Sequence, residues 1–373
     1  MAGGRRVLAG SAGLLLTVGI PAALHSRGSA SLAATQRHTS QATISTVAVP
    51  GSQPVNAASA ARAGVSLFSG LEGPASIAAG PDGAMWFTES IDTIGRIDVL
   101  GNVTTFRDSQ IGMPSDITAG PDGALWFGGQ GQIGRISTSG QVTTYTDGSI
   151  VGVGGIAAGP DGALWFTEQD DAYVGSIGRI TTSGEVTSFS DGSLGAPGGI
   201  VAGADGALWF TSSSPGLHSV GRLTTTGSLS VITDPAIIST NSIAASPDGS
   251  LWLTNGATAS IAQVTTAGTV IAHPTGISGA VELHGLTLGP DLSLWFTAVY
   301  RLPGQTTDSA AVGRLTALGT VTVFPSATLQ SPNGIAAGPD GALWVADSLG
   351  GPDDGGQIGH VTVLGTISTY TTP

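Results

Sequence analysis

The chain contains no cysteine and no lysine. The first absence excludes a disulfide framework, a thiolate-ligated zinc site and a thiol nucleophile together. The second leaves 12 arginines against 25 acidic residues, a formal net charge of −13, the wrong sign for a protein that neutralises a phosphate backbone; nucleic acid is not an expected partner. Aromatic residues make up only 5% of 373 residues, so a large core has to be packed from Ala, Val, Ile and Leu around a few large rings. An apolar fraction of 40% suffices for that and rules out disorder of the whole chain.

Arg5 and Arg6 precede an apolar stretch, Val7 to Leu24, and small residues follow around Ser31, Leu32 and Ala33. This is the layout of a secretory signal. Gly10, Gly13, Gly19 and Pro21 interrupt the stretch, whereas a spanning helix needs about 20 continuous apolar residues. Residues 1–33 are therefore expected to be a signal peptide, with no stable membrane span after processing and a secreted, extracellular product. Residues 34–64 carry no aromatic residue and no sustained period, which predicts a flexible linker.

From residue 65 onward the chain repeats. All seven tryptophans (Trp86, Trp126, Trp165, Trp209, Trp252, Trp295 and Trp344) stand in one local sentence, clearest as GIAAGPDGALWFTE, at spacings of 39 to 49 residues. An Asp lies four residues before each Trp, and Gly follows that Asp in every copy but one, where Leu292 stands instead. Pro-Asp-Gly is turn chemistry: Pro presets φ, Asp bonds its own backbone and Gly takes positive φ. Each unit reads as four short strands, with a second strand apolar on both faces and so covered from both sides. Seven such sheets closed radially make an all-β, seven-bladed β-propeller of four-stranded antiparallel blades over residues 65–373. Val65 to Phe68 copies an outermost strand and is a candidate for closing the ring; the C-terminal Thr366 to Tyr370 is the other.

Strand direction puts the residues just before each inner strand and just after each Trp strand at one mouth of the central channel, the default site in such a fold. Candidates there are Glu89, Glu168, Asn241, Glu282, His284, Asn333 and Asp347. Among six histidines only His284 falls at this mouth, with Glu282 two residues before it. An imidazole beside a carboxylate suits a proton acceptor held by the acid, or a pair of metal ligands. The same blade has the longest link from Trp to the recurrent arginine, Trp295 to Arg314, carrying Asp308; such a loop is lid material or an insertion. Arg96, Arg135, Arg179, Arg222 and Arg314 recur blade after blade, which speaks for structural ion pairs, and the seven turn aspartates read as solvated turn charge.

The repeat GPDGALWFTE followed by IGRIT and VTxF resembles the virginiamycin B lyase (streptogramin lyase) family over essentially all of residues 65–373. The resemblance implies a carbon–oxygen lyase that opens the ester of cyclic type B streptogramins by magnesium-assisted elimination, and hence antibiotic resistance. The family's Glu-Pro-His-Gly segment is matched in three of four places by Glu282-Leu283-His284-Gly285, implying His284 as base and Glu282 as a metal or base-orienting carboxylate. Where the family has a second His this chain has Asn241, and where it has a metal-binding Glu this chain has Ala298-Val299-Tyr300; Asp308 or Asp347 are the substitutes to consider. Two other readings stay open: a non-catalytic propeller binding a small cyclic ester, a peptide or a cell surface, and a metal-dependent lactonase whose Asn241, Asn333 and Asp347 would suit calcium. A monomer is expected. The leader reading has a direct check: N-terminal sequencing of exported protein should give a chain beginning close to Ala34, and a membrane-retained product starting at Met1 would overturn it.

Overall fold

A computed structural model describes residues 36–41, 43–46, 71–169, 175–190, 194–214, 217–265, 267–349 and 355–370. Its strands assemble into seven antiparallel sheets, each with four strands in sequence order from the channel outwards. The inner strands of neighbouring blades touch in a closed ring, the last (Pro332–Ala337) lying against the first (Ile77–Ala79). The only helical element among the described residues is a single 3-10 turn, Gly256–Thr258. No helix there is long and apolar enough to cross a membrane.

Blade 3 shows why the repeat folds this way. The inner strand Gly152–Ala158 turns through Pro160-Asp161-Gly162, with Gly162 at φ 73°, into Leu164–Gln169. Trp165 and Phe166 point to opposite faces of that second strand, and both are fully buried, each against a different neighbouring blade. Gly178, in the third strand Gly175–Ile180, lies across from Phe166, and a Cβ there would meet the ring at 2.1 Å. The IGR tripeptide is thus small because the Phe of the adjacent strand occupies the space. On the outer strand Val186–Phe189, Phe189 stacks on Trp165 at 5.4 Å between centroids.

Six of the seven turn aspartates are paired and not merely solvated charges. In six blades one carboxylate oxygen accepts the Trp indole N–H at 2.9–3.1 Å. The other faces the recurrent Arg, or His360 in blade 7, at 2.6–2.8 Å. The pairs lie within blades. Burial pushes each of these aspartates up, but the indole N–H, the cation (Arg, or His360 in blade 7) and a backbone N–H together hold them below the ordinary value of 3.8.

The last blade is completed by its own C-terminal strand, Ile367–Tyr370. Val65 to Phe68 lies outside the described residues. Within the stretch read as a linker, Gln36–Gln41 and Thr43–Thr46 form strands that add a fifth member to blades 2 and 1, pairing with Gln141–Thr146 and Val103–Arg107. Blades 1 and 2 therefore have five strands.

Gly178→Ala should cost on the order of 1–3 kcal/mol, the range of core overpacking. Thermal melting followed by circular dichroism should show a lower transition temperature with an unchanged β spectrum; an unchanged transition would contradict the close approach.

Candidate functional site

His284 sits on an irregularity that recurs around the ring. In blade 6 the pairing of the inner strand Ala280–Leu288 with Leu294–Arg301 slips between Leu283 and Leu286, so His284 and Gly285 form a bulge. The same slip occurs at Gly154-Gly155, Gly198-Gly199, Asn241-Ser242 and Asn333-Gly334. A bulge leaves an unpaired backbone N–H and re-aims a side chain. Here the Gly285 N–H is taken by the Thr297 hydroxyl at 2.9 Å, and that hydroxyl donates onward to the Asn333 carbonyl of blade 7 at 2.8 Å. On the other side the Thr254 hydroxyl of blade 5 reaches the His284 carbonyl at 3.4 Å. A Cβ on Gly285 would stand 2.4 Å from the Asn333 carbonyl, so the residue after His284 has to be glycine for blades 6 and 7 to meet.

The imidazole Nε2 lies 3.7 Å from a Glu282 carboxylate oxygen, with the His284 side chain 26% exposed and that of Glu282 76%. Burial lowers the His284 pKa below its usual 6.5, and the Glu282 charge pulls it partly back. The result is a ring that is neutral near pH 7, with access to solvent and a carboxylate on one edge. Asn241 stands one blade back and donates to the Leu283 carbonyl at 3.1 Å, the role that the Ser115 hydroxyl plays on Val153 at 2.8 Å. Its amide helps hold the backbone that presents the imidazole.

The other candidates go elsewhere. Three residues after Trp, the side chain points into the blade and not into the channel. Glu89 accepts the Glu72 N–H at 3.1 Å, and Asn255 accepts that of Ile238 at 2.7 Å. Asp347 accepts those of Gln330 and Ser331 at 3.0 and 2.6 Å, and Gln357 donates to it at 2.7 Å. Glu168 accepts the Ser176 hydroxyl at 2.9 Å and faces the Val151 N–H at 3.4 Å. In blades 1, 3, 5 and 7 this position fastens the segment entering the blade, while blade 2 has Gly129 there and in blade 6 the buried Ala298 leaves it apolar. Asp308 forms a two-pronged pair with Arg301 at 2.7 and 2.9 Å, closing the base of a hairpin in which only residues 302–308 are outside strands. Most of the long link after Trp295 is strand extension. Asn333 donates to the Ser348 hydroxyl at 3.1 Å. No group of three or more His, Asp or Glu side chains placed to hold a metal occurs among the described residues.

One residue at the inner strands escaped the sequence reading. Asp116 accepts hydrogen bonds from the Ser76 hydroxyl of blade 1, its neighbour Ile117 N–H and the Ile156 N–H of blade 3. It therefore ties three blades together, and burial raises its pKa against those bonds. The signal was available: among Ser76, Asp116, Gly155, Gly199, Ser242, Gly285 and Gly334, the residues that precede each inner-strand Ile or Leu, it alone carries charge.

The virginiamycin B lyase family matches residues 63–190 and 148–373. This chain belongs to that family. Among solved structures, a streptogramin B lyase is 24% identical with a TM-score of 0.65, over 84% of this chain and 95% of the other. A catalytically inactive His-to-Ala variant of virginiamycin B lyase from Staphylococcus aureus with quinupristin is 27% identical, TM-score 0.63, over 74% and 92%. Selenomethionine-substituted virginiamycin B lyase from Staphylococcus aureus is 26% identical, TM-score 0.60, over the same shares. No curated protein sequence matches.

The buried carboxylates set a pH dependence. Burial, partly offset by their hydrogen bonds, pushes Glu89 and Glu168 up to about 7 from an ordinary 4.5, and it raises Asp116 and Asp347 in the same direction. An acid whose folded pKa is raised binds more protons folded than unfolded, so stability falls as pH rises from about 4.5 to about 7. The turn aspartates act oppositely: their contribution is present above 3.8 and lost as pH falls through their lowered values. The transition temperature should peak between these windows. Glu89→Gln with Glu168→Gln should flatten the neutral limb by a few degrees, a change that melts at pH 5 and pH 7 would detect.

Proposed function

We propose that this protein is an exported carbon–oxygen lyase that opens the ester of a cyclic type B streptogramin or related depsipeptide by elimination, with His284 as the general base. The observation that carries this reading is the bulge of blade 6: a half-buried, neutral imidazole beside Glu282, held by Thr254, Thr297 and Asn241, on a segment that matches the family's Glu-Pro-His-Gly in three of four places. The structural neighbour with quinupristin is a His-to-Ala variant described as catalytically inactive, which supports an imidazole in the reacting position here. Export rests on Arg5, Arg6 and the apolar stretch that follows.

The chemistry asked of the site is limited. His284 Nε2 takes a proton from the carbon adjacent to the one bearing the ester oxygen. The C–H pair becomes the new C=C bond, the C–O bond breaks and the ring carboxylate leaves. No water is consumed. Glu282 steadies the imidazolium as the proton arrives and keeps the ring turned toward the channel. Half-burial keeps the base unprotonated at neutral pH, the state in which it works.

Magnesium, which the family resemblance implies, is not matched by the donor set. Asp308 is engaged by Arg301, Asp347 is buried under two backbone N–H groups and Gln357, and Glu282 alone remains free beside His284.

Purified protein incubated with a type B streptogramin should convert it to a linear product of unchanged mass, whereas hydrolysis would add one water. His284→Ala should lower the rate by about 10² to 10⁴, the usual worth of a positioned base, with the circular dichroism unchanged. An untouched cyclic substrate, with and without added magnesium, would sink the lyase reading in favour of a binding propeller.

A further inference from the structure

Blade 5 breaks the turn arrangement that the other six share. Its Trp252 faces Gln263 across the sheet, where five blades have Arg and blade 7 has His360. Gln263 turns instead to the Ser250 hydroxyl at 3.0 Å. Asp248 accepts the Ser250 N–H at 2.9 Å and, among the described residues, neither the indole nor a cation. Trp252 is only 7% exposed, yet its Nε1 is buried without a partner, and the same holds for Nε2 of His273, whose ring lies 5.3 Å from that of Trp252. Burial lowers the His273 pKa, so the ring is neutral and has a lone pair or an N–H to offer. A buried donor left without a partner is destabilising, and its presence calls for explanation.

These groups line a cleft of about 90 Å³ between blades 5 and 6, on the turn face opposite the mouth that carries His284. Its far wall is apolar, with Leu288 and Leu294 of blade 6. That space holds several waters and admits a planar guanidinium with a short stem. The neighbouring blades show what such a place accepts. Arg179, Arg222 and Arg314 hold their guanidinium carbons 5.7–5.9 Å from a Trp centroid, paired with the turn Asp.

We propose that this cleft is a binding site for an external guanidinium group, which pairs with Asp248 over the face of Trp252 and lays its stem on the leucine wall. Its arrival draws the Asp248 carboxylate onto the Trp252 indole N–H, restoring the geometry of the other blades. Two sources share this chemistry: a small alkylguanidine, or an arginine side chain presented by a peptide.

The indole N–H resonances of the seven tryptophans in the full chain read this out, with Trp252 identified by Trp252→Phe. Ethylguanidine and N-acetyl-argininamide should both shift the Trp252 resonance saturably and leave the other six in place, with n-butylamine weaker. Equal affinity for the two guanidines makes the head group alone the ligand; tighter binding of the amide assigns an arginine within a peptide. Asp248→Asn should weaken binding by about tenfold or more, the worth of a hydrogen bond to a charged group. Gln263→Arg should place the resonance near its ligand-saturated position unaided and abolish the response; if that variant fails to fold, Asp248→Asn decides. A Trp252 resonance indifferent to both guanidines, or a response that survives Asp248→Asn, would overturn the proposal.

Discussion

Each tryptophan of the repeat has to bury a large ring completely without stranding its one polar atom, and that requirement organises the rest of the blade. The indole N–H is met by the Asp four residues earlier, across the Pro-Asp-Gly turn, so the turn cannot drift from its register. Accepting the indole half-buries a carboxylate, and a carboxylate out of water needs a counter-charge; the arginine of the third strand supplies it while its guanidinium covers the ring. Turn, core and third strand are thus one device. Where blade 5 loses the arginine, the Asp and the indole N–H come apart together.

The blade count and the strand order were legible because the repeat carries this device openly in sequence. A Trp, an Asp at minus four and a Gly after it can be counted without knowing any coordinates. The partner of that Asp was not legible in the same way, since Trp and Arg approach it from the second and third strands, and spacing alone cannot distinguish a solvated turn carboxylate from a paired one. The same limit applies at the mouth. Glu89, Glu168 and Asp347 end the strands that carry the tryptophans, but whether a side chain there turns to the channel or into the blade depends on the segment packed beside it, and theirs enter the blade body and bind backbone there. His284, Asn241 and Asn333 lie on the bulges of the inner strands, an irregularity that the spacing of the repeat does not announce. Asp116 was overlooked because its partners come from two other blades, 40 residues away on either side.

In blades 3, 5 and 6 the threonine two residues after the tryptophan links its own blade's bulge to that of the next blade. Its hydroxyl satisfies the N–H that the bulge leaves unpaired and passes its own proton to the next blade's bulge, so that Thr254 and Thr297 bracket the backbone of His284 and Gly285. The imidazole is thereby carried by packed strands and not by a loop, which is the support that a reacting group needs if its orientation is to be held. Gly285 completes the arrangement by letting two blade edges come together directly beneath it.

The four repeat strands of every blade come from one uninterrupted segment, the last blade included, and only the added fifth strands of blades 1 and 2 come from elsewhere in the chain. At the seam between the final and the first blade Ala346 replaces the threonine, and the Gly334 N–H reaches the Ala75 carbonyl of blade 1 directly at 2.9 Å. No blade borrows any of its four repeat strands from another unit. The ring's ancestry can proceed by copying or dropping single stretches of coding sequence, each arriving with all four of its strands, and each copy is then free to diverge at its bulge without disturbing the device that holds its neighbours together.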